Sequence, residues 1–158
     1  MSNYSDPPGL AEWEKTVPEP FRRDPIWRTP AYRFGLWLSD LAKGDARLLR
    51  QDRDRRNDTD QLLRAVNGIS SNISEGYSRS TGPERARYYD YALATTRESR
   101  DWYFKCRDLL GDALVVERIG VLDRIIRILT VVVPRERDDS RRKRRRKRKG
   151  DAEETGDA

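Results

Sequence analysis

Apolar residues recur at helical spacing in four stretches of the chain, all between residues 27 and 133. In the second stretch they step by four, three and four residues, which places them on one face of a helix. These residues are Leu62, Val66, Ile69 and Ile73. In the first stretch, Thr29 and Pro30 are typical of a helix start, and the pattern leaves open whether that helix continues through Gly44.

The third stretch begins with a strong helix-start signal. Thr81 and Glu84 have the spacing of a capping box, and Pro83 lies in the first turn. The expected buried stripe then steps alternately by four and three residues, and Gly111 is expected to interrupt the helical pattern. The stripe consists of Tyr88, Ala92, Thr95, Ser99, Trp102, Cys106 and Leu109.

The fourth stretch is the most apolar and carries two neighbouring stripes. One consists of Val115, Ile119, Leu122, Ile126, Leu129 and Val133, and the other of Leu114, Val121, Ile125, Ile128 and Val132. Because a helix buried on one side needs a single stripe of about 100°, the wider arc indicates a second partner, either the rest of the bundle or another subunit. Pro134 is expected to end the helix. A short strand at the β-branched residues 128–133 is the alternative.

Four helices with short connections predict an all-α fold, an up-and-down antiparallel four-helix bundle formed by residues 27–134. The alternative is an open helical array that orders only on a partner. Residues 1–26 contain five of the eight prolines and are expected to form a disordered, extended arm, with Trp13 as its candidate docking residue. Residues 135–158 are expected to form a disordered basic tail with an acidic tip.

The composition excludes several classes of protein. The chain has one cysteine and no histidine, which excludes a disulfide framework, a Cys/His zinc site and histidine-based acid–base catalysis. No apolar run resembles a signal peptide or approaches the ~20 residues that a membrane span needs, so a cytoplasmic protein without membrane contact is expected.

No residues group into a candidate active site. Cys106 falls on the apolar stripe and is expected in the core. The spacing of Asp52, Asp54, Asp58 and Asp60 is similar to that of a calcium loop, but the required glycine is missing. We therefore expect no enzyme activity, no metal and no cofactor.

The net charge of +6 is concentrated near the C-terminus, where nine consecutive residues are cations. This basic run is Arg141, Arg142, Lys143, Arg144, Arg145, Arg146, Lys147, Arg148 and Lys149. Such a block binds polyanions through counterion release, so it predicts binding to nucleic acid, with RNA favoured and DNA or an RNA–DNA hybrid as alternatives. Binding to an anionic membrane surface, a solubility tail and an address signal are the alternative roles of such a run.

Cations in the body of the chain are further candidates for a phosphate-facing surface. They are Arg64, Arg79, Arg85, Arg87, Arg97, Arg100, Lys105 and Arg107, of which Arg64, Arg79 and Arg85 are the first to test. Since acidic residues are interleaved with them, a solvated helix face with i,i+4 ion pairs is the alternative.

Small and polar residues interrupt the second helix between Gly68 and Arg79, in the segment GISSNISEGYSR. Small side chains allow two helix backbones to approach closely, and Asn72 and Glu75 would need partners if they were buried at such a crossing. The alternative is that the serines face water while Asn72 and Glu75 form the C-terminal cap, with Gly76 at the C′ position.

Residues 60–99 resemble the signature of a family of small bacterial four-helix bundle proteins. The matching positions are Gln61, Leu62, Arg64, Ala65, Ser70, Asn72, Ile73, Glu75, Gly76, Arg79, Glu84, Tyr88, Ala92, Thr95 and Glu98. The family includes the intervening-sequence proteins of ribosomal RNA genes and the accessory variability determinant (Avd) of diversity-generating retroelements. An Arg/Asp-rich run replaces the proline that the family often has between its first two helices, and Thr95 replaces a serine.

The resemblance implies a homopentamer with a basic surface. For retroelement members it also implies binding to the reverse transcriptase and its template RNA during mutagenic cDNA synthesis. The signature residues expected at helix crossings or subunit contacts are Gln61, Ser70, Asn72, Glu75, Gly76 and Glu98. The alternative that the resemblance allows is an intervening-sequence-type scaffold that acts through protein partners.

Overall fold

The computed structural model describes the backbone of residues 6–154 and the side chains of residues 6–138. The described backbone forms seven α-helices and two 3₁₀ turns, Pro25–Arg28 and Arg53–Arg55, and contains no strand. The helices are α1 (Leu10–Thr16), α2 (Glu19–Arg22), α3 (Pro30–Leu49), α4 (Arg56–Tyr77), α5 (Gly82–Lys105), α6 (Arg107–Leu110) and α7 (Asp112–Glu154). The all-α prediction is confirmed for this part of the chain, and residues 128–133 belong to α7 rather than to a strand.

Four long helices, α3, α4, α5 and α7, build one core. α4 packs against α3 and α5, and α7 packs against the same two helices. Each long helix contributes fully buried side chains to this core, for example Phe34 of α3, Ile69 of α4, Tyr103 of α5 and Leu122 of α7. The core therefore depends on residues from across the chain, from Leu10 to Val133.

The first long helix starts where the sequence predicts and continues through Gly44. α3 begins at Pro30 with Thr29 as its N-cap. After the exposed Gly44, the last turn buries Ala46 and Leu49 completely or nearly so. Burial of this turn offsets the low helix propensity of a glycine, which is about 1 kcal/mol worse than alanine.

The start of α5 also follows the sequence signal. Thr81 is the N-cap, and its Oγ1 accepts a hydrogen bond from the Glu84 backbone N–H at 3.4 Å. The same hydroxyl donates to Oε2 of Glu84 at 2.5 Å. Thr81 and Glu84 thus contact each other as their spacing indicates. In a capping box the glutamate carboxylate would bind the backbone N–H of the N-cap residue, whereas here it binds the Thr81 hydroxyl.

The buried stripe of α5 agrees only in part with the predicted one: Ala92, Ser99 and Cys106 are buried as predicted. Tyr88, Thr95 and Trp102 are only partly buried, and Leu109, which lies in α6, is 41% exposed. The buried residues of α5 are Gly82, Ala86, Tyr89, Ala92, Thr96, Ser99 and Tyr103. An aromatic pair occurs at 88–89 and again at 102–103, so two adjacent stripes have the same period and the sequence pattern does not choose between them.

α7 does not end at Pro134, and that prediction is wrong. The helix continues past the exposed proline to Glu154, as far as the described backbone extends. Beyond Pro134, Glu136 accepts a hydrogen bond from Nε of Arg85 at 2.8 Å, and Arg137 pairs with Asp90. These two contacts with α5 hold the next turn in place although the proline removes one helical hydrogen bond. The backbone of residues 135–154 therefore differs from the disordered tail expected there.

The rest of the chain covers most of the wide apolar arc of α7, and Leu114, Ile119, Ile126 and Val132 are partly exposed. Val115, Leu122 and Leu129 from one predicted stripe are buried, as are Val121 and Ile125 from the other. The partner for the second stripe is therefore the chain's own helices, one of the two possibilities that the pattern left open.

Residues 6–26 form short helices rather than an extended arm. They contain α1 and α2, and Leu10 is fully buried. Nε1 of Trp13 donates to Oδ2 of Asp40 in α3 at 2.8 Å, and the Trp13 ring stacks on Trp27 with centroids 6.1 Å apart. Prolines are compatible with this structure because Pro20 and Pro25 lie in the first turns of short helices, where a missing N–H is tolerated.

Candidate functional site

Small residues bring α4 close to its neighbours. A Cβ atom added to Gly76 would lie 2.7 Å from Cε1 of Tyr89, and one added to Gly68 would lie 3.1 Å from Cγ2 of Thr95. On the other side, a Cβ added to Gly35 of α3 would lie 3.3 Å from the backbone N of the buried Ser70. Two antiparallel helices, α4 and α5, therefore cross at a separation that larger side chains would prevent.

The polar signature residues lie outside this crossing. Glu75 is 47% exposed at its side chain and forms an ion pair with Arg79 one turn later. Asn72 and Gln61 are partly buried, Glu98 is exposed, and no hydrogen bond joins any of these three side chains to another described residue. Gly76 lies within α4, whose C-cap is Ser78, and so does not occupy the C′ position. The outer face of α4 and α5 thus carries polar groups that the described part of the chain does not pair.

Two arginines and two tyrosines form a cluster near the start of α5, here called the Arg–Tyr cluster: Arg79, Arg87, Tyr88 and Tyr91. Arg79 donates to the Tyr88 hydroxyl at 3.0 Å, and its Cζ lies 4.8 Å from the centroid of that ring. Nε of Arg87 donates to the Tyr91 hydroxyl at 2.8 Å, with its Cζ 5.7 Å from the Tyr91 centroid. The two tyrosine rings meet edge to face, with centroids 5.9 Å apart. Both separations of cation and ring are within the range of cation–π attraction.

Arg85 uses its donors within the chain. Its Nε binds Glu136, and its Nη1 donates to the backbone carbonyls of Arg79 and Ser80, both at 3.1 Å. Arg85 thus joins three segments, namely the α4–α5 connection, α5 and the part of α7 beyond Pro134. Arg64, by contrast, is exposed on α4.

The other candidate cations are spread along α5 and α6. Arg100 lies 3.7 Å from Asp123, while Lys105 lies over the Trp102 ring at 4.3 Å from its centroid. Arg107 lies over Phe104, with Cζ 4.2 Å from the ring centroid, and Arg97 is exposed. These groups do not form one continuous basic surface with the Arg–Tyr cluster.

The basic run, Arg141 to Lys149, lies on the C-terminal part of α7, and its side chains are outside the described residues. Its starting point is nevertheless defined by the backbone, because Arg137 pairs with Asp90 only four residues before Arg141. Four helical residues span about 6 Å. The basic run therefore begins at the end of the molecule where α5 starts.

A buried ionic network, which the local sequence patterns do not predict, joins three helices. Asp45 of α3 accepts hydrogen bonds from Nε of Arg118 at 2.9 Å, from Nη2 of Arg118 at 3.1 Å and from the Tyr103 hydroxyl at 2.8 Å. Asp45 is 2% exposed, Arg118 7% and Tyr103 0%. The sequence signal that could have indicated it is an arginine three residues after Val115 and four before Leu122, at the spacing of core positions.

Burial and the ion pair together shift the pKa values of Tyr103 and Arg118 in this network. Burial, together with the charge of Asp45, raises the pKa of Tyr103 well above its ordinary value, so the hydroxyl stays a donor. Burial alone would lower the pKa of Arg118, but the hydrogen bond and charge of Asp45 outweigh it and the pKa is raised. The network is therefore a fixed ion pair with one neutral donor, which is an arrangement suited to holding helices together.

The aspartates with calcium-loop-like spacing and Cys106 take part in local structure rather than in a binding site. Asp52 caps a 3₁₀ turn by accepting from Asp54 N–H at 2.9 Å, and Asp58 pairs with Arg55 at 3.1 Å. Cys106 is fully buried, and burial raises its pKa. Among the described residues no three His, Cys, Asp or Glu side chains are grouped so that they could hold a metal ion, and none of the described helices has the length and apolar character to cross a membrane.

Comparison with known proteins connects the central helices to a described family. No curated protein and no solved structure matches the chain. The family model described as 23S rRNA-intervening sequence protein matches residues 47–119, which run from the end of α3 through α4, α5 and α6 into α7. The central helices of this chain, with the close α4–α5 crossing and the Arg–Tyr cluster, are thus similar to the 23S rRNA-intervening sequence protein family.

Proposed function

We propose that this protein is a non-catalytic, cytoplasmic RNA-binding accessory protein that associates with copies of itself. The observation that carries the proposal is the basic run of nine consecutive cations at the end of α7. On a helix these residues span about 13 Å, so their charges repel one another strongly unless a polyanion neutralises them. RNA supplies closely spaced phosphates, and their binding releases condensed counterions.

The partner that we propose is the reverse transcriptase of a diversity-generating retroelement together with its template RNA. The resemblance of residues 60–99 to the Avd-containing family supports this choice, and the family match over residues 47–119 is compatible with it. In this role a homopentamer of four-helix bundles would present several copies of the basic run around one RNA. The protein would assist mutagenic cDNA synthesis by holding the template, while the chemistry takes place on the reverse transcriptase.

A second candidate function is a scaffold that acts through protein partners, as the intervening-sequence resemblance allows. The observation that favours it is the outer face of α4, where Gln61 and Asn72 are partly buried and have no hydrogen-bond partner among the described residues. Such groups are well suited to a protein contact that would satisfy them. On this alternative, RNA binding through the basic run is incidental.

RNA binding by the full chain is the direct test, measured by fluorescence anisotropy over a series of salt concentrations. For a single strand, the slope of log affinity against log salt is about −0.7 per neutralised phosphate. Replacing Arg144, Arg145 and Arg146 by glutamine should therefore flatten the slope by about 2 and weaken binding. The same assay with DNA and with an RNA–DNA hybrid identifies the preferred nucleic acid.

The matched control removes three arginines from the opposite end of the molecule. Arg47, Arg53 and Arg56 are exposed near the α3–α4 connection, and their replacement by glutamine changes the net charge equally. This variant should keep the salt slope of the original protein. Equal losses in both triple variants, or no RNA binding by the original protein, would contradict the proposal. A protein partner that is retained after RNase treatment in a pull-down would favour the scaffold instead.

A further inference from the structure

We propose that the Arg–Tyr cluster is a stacking site for unpaired bases, so that the protein prefers single-stranded RNA to duplex RNA. This inference rests on the proposed RNA binding and adds the class of RNA and the residues that select it. The basic run would supply phosphate contacts, and the cluster would supply contacts with base faces. Neither family similarity nor net charge indicates such a division.

The Tyr91 ring is accessible, Tyr88 is partly buried, and each ring has an arginine beside it. Tyr91 is 43% exposed, although it lies in the middle of a helix whose other face is packed in the core. The guanidinium of Arg87 lies beside it, and the Tyr88 ring meets it edge to face. Bases that are not paired stack on aromatic rings and on arginine planes, and this contact tolerates any sequence.

Two of the acidic groups near the cluster are paired with arginines, which weakens their repulsion of RNA. Glu75 pairs with Arg79, and Asp90 pairs with Arg137. The Glu84 carboxylate accepts from the Thr81 hydroxyl. Arg79 is balanced by Glu75, whereas Arg87 contacts only tyrosine among the described residues and keeps its positive charge, so the cluster combines stacking rings with one unbalanced cation.

The position of the basic run makes a combined site possible. Arg85 and Asp90, which flank the tyrosines in the sequence, bind Glu136 and Arg137 of α7. The first cation of the basic run follows Arg137 by four residues, about 6 Å along the helix. A strand bound at this end of the molecule would offer its unpaired bases to the exposed Tyr91 ring. In a duplex those bases are paired and stacked with one another, and they could not use the rings.

The test compares the full chain with its Tyr88→Leu/Tyr91→Leu variant on a single-stranded RNA and on a blunt duplex of the same sequence. Stacking on an aromatic ring commonly changes affinity about tenfold per base, so we expect at least about a tenfold loss for the single strand. Duplex affinity should stay the same. The salt slope should also be unchanged, because leucine for tyrosine removes no charge.

The matched control is Phe104→Leu. Phe104 is 55% exposed and also has an arginine over its ring, Arg107, but it lies at the opposite end of α5. This variant should bind both RNAs as the original protein does. If a thermal melt shows that the double variant is unfolded, the RNA affinities of the single variant Tyr91→Leu provide the test. Tyr91 is exposed, so its replacement should leave the core intact.

Three results would overturn the inference while leaving the proposed RNA binding in place. These are unchanged single-strand affinity in the tyrosine variants, an equal loss for duplex RNA, and equal binding of both RNAs by the original protein. A change in oligomeric mass in the tyrosine variants would also overturn it, since the cluster would then be a protein contact. Failure of the original protein to bind either RNA would instead remove the proposed function itself.

Discussion

At the residue scale, two helical glycines have opposite surroundings. A Cβ atom at Gly76 would lie 2.7 Å from Cε1 and 2.9 Å from Cδ1 of Tyr89, a ring that is 6% exposed. A Cβ at Gly120 in α7 would have no neighbour within 4 Å. Gly76 is therefore needed for the close crossing of α4 and α5, whereas Gly120 only weakens its helix.

Alanine at these two positions should change stability in opposite directions. Gly120→Ala is expected to raise the free energy of unfolding by about 0.5–1 kcal/mol, because glycine is a poor helix former. Gly76→Ala is expected to lower it by about 1–3 kcal/mol, because the added methyl group overpacks the crossing. Urea denaturation followed by circular dichroism measures both. Equal stabilisation by the two substitutions would show that the crossing is loose.

At the scale of elements, the buried network determines how α3, α5 and α7 are held together. Asp45, Tyr103 and Arg118 come from one helix each, and the guanidinium binds both carboxylate oxygens. An ion pair in a core contributes little net stability compared with apolar residues, but removing one partner leaves an uncompensated charge. We therefore assign the network a role in fixing the positions of the three helices.

Breaking the network from one side should be more harmful than replacing it. Asp45→Leu is expected to lower the free energy of unfolding by about 3–5 kcal/mol, because Arg118 remains buried without its main partner. The triple variant Asp45→Leu/Tyr103→Phe/Arg118→Met should recover most of that loss. Denaturant unfolding of both variants tests the prediction. A single variant that loses less than about 1 kcal/mol would show that Arg118 reaches solvent without difficulty.

At the scale of the whole molecule, the outer face of α4 and α5 is a surface on which polar groups have no partner among the described residues. Asn72 is partly buried there, beside the close crossing at Gly76. Most stripe residues of α7 are buried within one chain, and we propose that self-association uses this polar surface. The contact would then be more polar than a continuation of the core.

Static light scattering at high salt tests self-association without bound nucleic acid. A homopentamer has five times the 18.5 kDa mass of one chain. Asn72→Leu should lower the measured mass, because leucine cannot replace the hydrogen bonds of an amide at a subunit contact. The control, Arg97→Leu at an exposed position of α5, should keep it. A mass near 18.5 kDa for the original protein would contradict the ring.

Much of the fold could be predicted from local sequence, and particular residues show which features could not. Thr29, Pro30, Thr81 and Pro83 mark the starts of α3 and α5 because capping depends on neighbouring residues only. The prolines of residues 18–25 favour an arm when taken alone, although they occupy helix starts once Leu10 and Trp13 are packed on the body. In the candidate site, the sequence indicated the arginines and Gly76. It did not indicate that Arg79 and Arg87 pair with tyrosine rings.

The sequence by itself determined the helical content, the order of the long helices and the position of the basic run, because periodicity, caps and charge are properties of neighbouring residues. Only the tertiary structure decided which of two stripes on α5 is buried, since that choice depends on the partner helices. It also decided that α7 continues past Pro134, through contacts with Arg85 and Asp90. The ion pair of Asp45 and Arg118 joins residues 73 positions apart, a distance over which no local pattern carries information.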